Sequence, residues 1–405
     1  MPNSSNFYTV KNANIYLVAF LCIFSLNPFF IWGWAREFQV ALIFALIILY
    51  KPTVLCYKDF FLGIFVSILA LYFYIANNAS WLGSIYYAVS LFILMQLSDK
   101  EMRESFYLFK RLFALTLVPA IILWGLHHAS SDFSLFSMGY VDESLMPDPA
   151  KLENNQLYVR YPFSIVLDYM LEEPYYRLFG PYDEPGVVGT AAALLLAADR
   201  FKIRSYSSLI IIVGGILSFS LAFYALSAMY IVFLSFKNYR YLIALIVAVI
   251  MVVGVASESE YIRMLTIDRV AMSESGGFSG DNRSSEDLNK AFDVWMSSPP
   301  SSFLLGIDWV DESGSSSWKQ IPIRVGVFGV MVFILILSAI FLRYASFFSW
   351  PVLAFILVFI ASLYQRTGVL VPAYIVIFSY GVLFHFKNIE PLIKKLKGDS
   401  NLGGV

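Results

Sequence analysis

The stretch VGVFGVMVFILILSAIFL, residues 325–342, contains no charged residue and lies between Arg324 and Arg343. A helix of about 20 apolar residues is long enough to cross the hydrocarbon core of a bilayer. Residues 60–76 form a second run of this kind. Such runs account for a composition of 59% hydrophobic, 18% aromatic and only 14% charged residues. The stretch therefore predicts a membrane-spanning helix, and the composition predicts a chain that contains many of them.

Charged residues collect in the gaps between the apolar runs. The runs predict twelve spans, at 15–35, 38–50, 59–76, 81–97, 107–126, 186–199, 207–219, 222–236, 241–257, 325–342, 348–364 and 369–386. We therefore expect an all-α fold, a polytopic integral membrane protein of about twelve transmembrane helices. Residues 1–400 would form one transmembrane domain.

Cations alternate between the two sides of the predicted spans. The short gaps on one side and the C-terminal tail hold Lys51, Lys58, Lys100, Arg103, Lys110, Arg111, Arg200, Lys202, Arg204, Lys237, Arg240, Arg343, Lys387, Lys394, Lys395 and Lys397. The opposite short gaps hold Arg36 beside Glu37, the uncharged residues 77–80, and Arg366. Cytoplasmic loops carry an excess of lysine and arginine. The first side is therefore predicted to be cytoplasmic, and both termini would lie there.

Two gaps are long and polar, at 127–185 and 258–322, and the order of the spans places both on the outer face. In the second gap Leu288, Ala291 and Trp295 recur at helical spacing, which predicts an amphipathic helix against the protein or the membrane. We expect both gaps to be folded loops and to carry the chemistry.

Several classes of protein are disfavoured. Almost no ionisable residue lies in the middle of a predicted span, whereas ion-coupled carriers need such residues at membrane depth. A phosphate-binding P-loop is missing, and the net charge of −1 gives no indication of nucleic-acid binding. The two cysteines, Cys22 and Cys56, lie outside both long gaps, so no disulfide is expected to join the outer loops. The first run has no small-residue cleavage site and is expected to remain as an anchor.

The first outer loop ends in RLFGPYDEPG, which begins at Arg177 and leads into the sixth span. Asp183 and Glu184 suit the positive end of a helix, so one interpretation is a capped membrane helix. Arg177 beside a helix start would also form a site for a phosphate oxyanion. Alternatively, Arg177 pairs with Glu172 or Glu173 on the surface.

A similar arrangement precedes the amphipathic helix of the second outer loop. Arg283 stands just before it, either as part of an anion site or neutralised by Asp281, while Ser284 and Asp287 would form a capping box. A third cation, Arg324, precedes the tenth span, where an interfacial anchor is the alternative to a role in binding.

Four motifs accompany these cations: RxxG and EPG within 177–186, LSFS at 217–220, Pro299-Pro300 followed by LGID at 305–308, and GVFG at 326–329. Together with Arg283 and the helix that ends near Trp295, they resemble the superfamily of bacterial O-antigen polymerases and O-antigen ligases. In topology the resemblance covers most of the chain. It implies a GT-C-like membrane glycosyltransferase architecture in the bacterial inner membrane, with 127–185 and 258–322 in the periplasm.

The histidines favour one branch of this superfamily. The ligase branch carries a histidine at a position that falls on Ser315 or Ser316 here, and the second loop of this chain has none. The resemblance thus favours a polymerase that joins oligosaccharide units carried on undecaprenyl pyrophosphate. The alternatives are a ligase, in which His127 or His128 would replace the missing histidine, and a flippase or carrier of lipid-linked oligosaccharides without catalysis.

The chemistry of this transfer suggests roles for the residues. Pyrophosphate is a good leaving group whose charge must be stabilised, and Arg177 and Arg283 fit that role. The acceptor hydroxyl would benefit from a base, for which Glu184 is the first choice and Asp183 or His128 the weaker ones.

We further expect Arg324, Asp183, Tyr182 and Trp295 to bind substrate. No metal or cofactor is expected, although Asp308, Asp311 and Glu312 contain metal-type oxygens. The expected partners are undecaprenyl-pyrophosphate-linked oligosaccharides and membrane lipids, with a chain-length regulator and a flippase as further candidates, and no nucleic acid.

Overall fold

The structure is a computed structural model. It describes residues 4–49, 57–77, 80–129, 136–146, 156–172, 176–236, 238–258, 260, 263–264, 267–268, 285–307, 309, 317–345, 349–364, 366, 368 and 370–387. Within these residues the fold is mostly helical, as the sequence predicts.

The helices within the described ranges are α1 (Ser4–Ser25), α2 (Ala35–Leu49), α3 (Tyr57–Ala76), α4 (Trp81–Gln96), α5 (Asp99–Ala129), α6 (Pro185–Ala198), α7 (Tyr206–Leu217), α8 (Leu221–Ser235), α9 (Arg240–Glu258), α10 (Glu286–Met296), α11 (Pro300–Leu305), α12 (Gln320–Tyr344), α13 (Trp350–Ser362) and α14 (Pro372–Lys387). All of them except α10 and α11 overlap a predicted span. The hydropathy pattern therefore located the apolar helices along the chain.

Three helices in the described part of the chain, α3, α5 and α12, are long and apolar enough to cross a membrane. The apolar parts of the other helices described there are shorter, such as Ala13–Ser25 within α1. Helix α7, for example, has 12 residues and is about 18 Å long at 1.5 Å per residue. Length and composition thus support a membrane protein, whereas the twelve-span topology goes further than these helices do.

Helix α6 lies at the centre of the bundle, and every one of its residues is buried. Its sequence PGVVGTAAALLLAA is apolar on all sides, as expected of a helix with neighbours all round. It packs against α7, α8, α13 and α14. A Cβ on Gly189 would come within 2.3 Å of the Ser220 Cβ, so glycine permits the close approach of α6 to the start of α8.

The first long gap contains a β-hairpin that the sequence did not predict. Strands β1 (Tyr158–Tyr161) and β2 (Ser164–Leu167) are antiparallel, with Tyr158 opposite Leu167 and Tyr161 opposite Ser164. The Ile165 amide donates to the Gly180 carbonyl at 3.0 Å. The hairpin thereby holds the segment that leads into α6.

The amphipathic helix predicted in the second long gap is α10. Its buried residues are Leu288, Ala291 and Trp295, which form the predicted apolar face. The N-cap is Ser285, whose hydroxyl accepts the Leu288 amide at 3.1 Å, one residue later than the predicted capping box at Ser284. Ser284 itself lies outside the described residues.

Two glycine motifs, distant in the sequence, meet where α11 packs on α12. Helix α12 is kinked at Gly326, where φ is 63° and ψ is −175°. A Cβ on Gly326 would lie 2.2 Å from the Leu304 carbonyl oxygen, and one on Gly306 would lie 2.2 Å from the Arg324 carbonyl oxygen. The Ile307 amide donates to the Ile323 carbonyl at 2.7 Å. The contact therefore fixes the backbone on either side of Arg324.

Candidate functional site

Glu184 lies at the N-cap position of α6, but its side chain makes no capping hydrogen bond. Instead, its carboxylate accepts a hydrogen bond from the Arg366 guanidinium at 2.6 Å. The side chains of Arg366 and Glu184 are 17% and 27% exposed. This half-buried ion pair joins the start of α6 to the connection between α13 and α14.

The charge on Arg366 is stabilised by its surroundings. Burial disfavours the cation, but the carboxylates of Glu184 and Asp183 outweigh it, so the pKa of Arg366 is raised above its ordinary value. A guanidinium held here is a permanent cation beside two carboxylates. An anionic ligand would compete with those carboxylates for the same donors.

Arg177 links the first outer loop to the connection between α7 and α8. Its Nε donates to the Ser218 carbonyl at 3.2 Å, and the Leu178 amide donates to the Leu217 carbonyl at 2.9 Å. Two of the sequence motifs are therefore in contact. Glu173, a predicted alternative partner of Arg177, lies outside the described residues, as does the side chain of Glu172.

Tyr182 and Asp183 flank Glu184 differently. Tyr182 is fully buried, and its hydroxyl lies 3.0 Å from the Thr116 hydroxyl inside the bundle. Asp183 is half-buried, and its backbone carbonyl accepts a hydrogen bond from the Tyr158 hydroxyl. Tyr182 thus packs the loop onto α5, while Asp183 lies within electrostatic range of Arg366.

Arg324 is half-buried at the edge of a cavity of about 50 Å³. Its Nε is buried and has no acceptor among the described residues. The guanidinium carbon lies 5.8 Å from the centroid of the Trp309 ring. Gly368, two residues beyond Arg366, lines the same cavity. A buried donor without an acceptor is costly, so this site favours a ligand that accepts hydrogen bonds.

A larger apolar cavity of about 650 Å³ lies among α10, α12, α13 and α14. Along α12 its lining begins at Ile321 and Pro322, before the kink at Gly326, and continues from Val327 to Phe341, a further distance of about 21 Å at 1.5 Å per residue. Its remaining lining includes Phe292, Trp295, Trp318, Ile360 and Phe378. Trp295 stacks on Phe303 with ring centroids 5.0 Å apart. The cavity can accommodate a long apolar chain.

This cavity adjoins the small cavity that contains Arg324. Ile321 lines both the apolar cavity and the small cavity that contains Arg324. Leu363 also lines the apolar cavity, and Arg366 follows it by three residues. The arrangement therefore places the Arg324 guanidinium beside the apolar cavity, and Arg366 in the connection that follows one of its walls.

Some predicted site residues cannot be placed. Arg283, Asp308, Asp311 and Glu312 lie outside the described residues. The joint role of Arg177 and Arg283 in stabilising the pyrophosphate charge therefore stays a prediction. Among the residues that the structure describes, no cluster of histidine, cysteine and acidic side chains is suited to hold a metal ion.

Arg366 is the site residue that the sequence reasoning missed. In the sequence it is one of the few charges on the side predicted to be the outer face. The signal was present, because a single arginine in a short gap on the side where cations are rare is unusual. Its partner is 182 residues away in the chain, so no local pattern indicates the pair.

Comparisons of the chain with protein-family models, with curated proteins and with solved structures found no match. The resemblance to O-antigen polymerases and ligases accordingly stays a prediction from the motifs.

Proposed function

We propose that the protein is a surface-polysaccharide polymerase that joins undecaprenyl-pyrophosphate-linked oligosaccharides by glycosyl transfer. The observation that carries the proposal is the apolar cavity of about 650 Å³, which adjoins the small cavity that contains Arg324, together with the nearby ion pair of Arg366 and Glu184 in the connection that also supplies Gly368 to that small cavity. A polyprenyl pyrophosphate has the matching form, a long apolar chain that ends in an anion. The motifs quoted above point to the same substrate class.

The proposal includes a membrane topology. Twelve spans place both termini in the cytoplasm of a bacterial inner membrane, and residues 127–185 and 258–322 in the periplasm. The alternating cations and the twelve helices at the predicted positions support this arrangement. A chain-length regulator and a flippase are the proposed protein partners.

In the proposed reaction, the acceptor hydroxyl oxygen forms a bond to the anomeric carbon of the donor sugar. The bond from that carbon to the pyrophosphate oxygen breaks, and the lipid pyrophosphate leaves with the electron pair. Arg366 and Arg324, with Arg177 and Arg283, stabilise this charge through guanidinium groups already in place, an effect worth several kcal/mol. The hydroxyl proton passes to Glu184. We propose no metal ion or cofactor.

The Arg366–Glu184 pair adds a step to this mechanism. Without substrate, Arg366 donates to the Glu184 carboxylate at 2.6 Å. A pyrophosphate bound to Arg366 competes for the same N–H groups, which are suited to phosphate oxygens. Substrate binding would therefore release Glu184 toward the acceptor hydroxyl.

Deletion of the gene tests the proposal in the source bacterium. Loss of a polymerase leaves surface glycan of a single repeat unit, and the gene supplied in trans restores long chains. Long chains that accumulate on the lipid carrier would instead identify the ligase alternative. Absence of repeat units from the outer face would identify the flippase alternative.

A further inference from the structure

A separate cavity, of about 220 Å³, lies at the opposite end of α5 and α6 from Glu184. It is lined by Tyr107, Lys110 and Arg111 of α5, by Asp199, Lys202, Arg204 and Ser205 of the connection between α6 and α7, and by Ser207 of α7. By volume it equals roughly seven water molecules, enough for a phosphate group. None of these residues belongs to the site described above.

The cavity carries an excess of positive charge. Of its four cations, Lys110 donates to the Asp199 carboxylate at 2.7 Å, and these two side chains are only 3% and 7% exposed. Since Asp199 neutralises Lys110, the excess positive charge is carried by Arg111, Lys202 and Arg204. No carboxylate in the described part of the chain forms an ion pair with any of these three, and all three are exposed. The cavity is therefore suited to an anion.

The neighbouring surface indicates where that anion comes from. Ile203 and Tyr206 alternate in the sequence with the lining residues Lys202, Arg204, Ser205 and Ser207, and Leu209 follows one helical turn after Ser205; the three apolar side chains are 60%, 89% and 52% exposed. Apolar side chains together with a tyrosine at this position are typical of the interface between lipid headgroups and acyl chains. Basic sites between helices on the cytoplasmic side suit anionic headgroups. A free phosphate ion would make no use of this apolar surface.

We propose that the cavity binds the phosphate of an anionic glycerophospholipid, whose acyl chains lie along Ile203, Tyr206 and Leu209. Tyr107 in the cavity wall donates from its hydroxyl to the Asp199 carboxylate at 3.4 Å. The Tyr380 hydroxyl of α14 in turn donates to the Tyr107 hydroxyl at 2.8 Å. A lipid bound here contacts α5, α7 and the connection between α6 and α7 at once. It therefore stabilises the folded bundle against separation of these helices.

The experiment uses the full chain, purified and reconstituted in discs of phosphatidylcholine with or without phosphatidylglycerol. Retained lipids are counted by native mass spectrometry, and affinity is obtained by titration with phosphatidylglycerol. Arg111→Gln and Arg204→Gln should each weaken binding about 5-fold, and the double variant about 30-fold. Arg240→Gln, an exposed arginine at the start of α9 and outside the cavity, is the matched control and should bind as the wild type does.

Thermal unfolding in pure phosphatidylcholine tests whether the variants fold. We expect that they do, because Arg111 and Arg204 are exposed and Lys110 is left intact. Phosphatidylglycerol should raise the melting temperature of the wild type and not that of the double variant. Equal retention of phosphatidylglycerol by the double variant would overturn the proposal. So would stabilisation by inorganic phosphate alone that phosphatidylglycerol does not exceed, since the ligand would then be a soluble anion.

Discussion

Glu184 has two possible uses in this fold: it can cap the free N–H groups at the start of α6, or it can pair with Arg366. The side chain takes the second, because the half-buried guanidinium is a charged donor, whereas the backbone N–H groups at a helix start are neutral donors. Pro185 at the first helical position lacks an N–H, so the start of α6 has one unsatisfied backbone donor fewer. The carboxylate therefore stands next to the proposed anion site.

The first prediction concerns Glu184→Gln, which preserves shape and hydrogen bonding but removes the base. Polymerisation should fall by a factor on the order of 10² or more. The measurement is the chain length and amount of lipid-linked polymer made by membranes with equal amounts of protein. Glu143→Gln changes an exposed acid of the same outer gap and should leave polymer unchanged. Near-normal polymer from Glu184→Gln would return this residue to a purely structural role.

The second prediction concerns Arg366. Arg366→Lys keeps the charge but loses the fork that donates two parallel hydrogen bonds to phosphate, so most activity should be lost. Arg366→Gln should lose about 10²-fold to 10³-fold. Arg160→Lys changes the exposed residue of the otherwise buried strand β1; it is the control and should be tolerated.

Combined with Glu184→Gln, the Arg366→Gln change should cost little more than either change alone, since both residues serve one transition state. The measurement is again the rate of polymer formation. Fully multiplicative losses would mean that Arg366 and Glu184 act independently and that the proposed exchange is incorrect.

At the scale of the elements, the contact between α11 and α12 decides where Arg324 lies. Gly306 has a φ of 94° and Gly326 a φ of 63°, a region that residues with a Cβ rarely adopt. Each glycine approaches the other element's backbone so closely that no side chain fits between them. The sequence contains both glycines as parts of short motifs, but only the fold shows that they serve one contact.

The third prediction follows from this contact. Gly326→Ala places a Cβ 2.2 Å from the Leu304 carbonyl oxygen, in addition to the strained φ, and should destabilise the protein by about 2–4 kcal/mol. Thermal unfolding in detergent, followed by tryptophan fluorescence, measures the loss. Gly254→Ala in α9 meets no atom within 4 Å and should leave stability unchanged or raise it by up to about 1 kcal/mol. Equal melting temperatures for the two variants would contradict the close contact.

At the scale of the whole molecule, the orientation in the membrane decides which side each end of the bundle faces. Glu184 and Arg366 lie at one end of the bundle, and the Lys110–Asp199 pair lies at the other end of α5 and α6. If the first end faces the periplasm, lipid-linked substrate reaches it after transfer across the membrane. The second end would then face the cytoplasmic leaflet.

The fourth prediction tests this orientation. In a background without Cys22 and Cys56, Ser137→Cys should react with an impermeant thiol reagent in intact spheroplasts, because residue 137 is exposed in the first outer gap. Ser205→Cys, also exposed but on the predicted cytoplasmic side, should react only after the membrane is opened. Ser279→Cys in the second outer gap should behave like the Ser137 variant. The reverse labelling would overturn the topology.

Much of the fold was predictable from local patterns. Twelve apolar runs located twelve helices, and the spacing of Leu288, Ala291 and Trp295 located α10 and its buried face. The β-hairpin was not predicted, because each strand has only four residues and such short strands give no clear hydropathy pattern. The predicted N-cap position of α10 was wrong by one residue, because Ser284 and Ser285 are adjacent and chemically alike.

The sequence by itself determined which segments are helical and apolar, and where the cations collect, because hydropathy and helical spacing are properties of neighbouring residues. Only the tertiary structure decided that Glu184 pairs with Arg366, that the glycine motifs at 306 and 326 meet, and that an apolar cavity adjoins the small cavity that contains Arg324. These pairings join residues on different helices, and they depend on how the helices pack. The packing is set by side-chain volumes and close backbone approaches across the whole bundle, which no local pattern encodes.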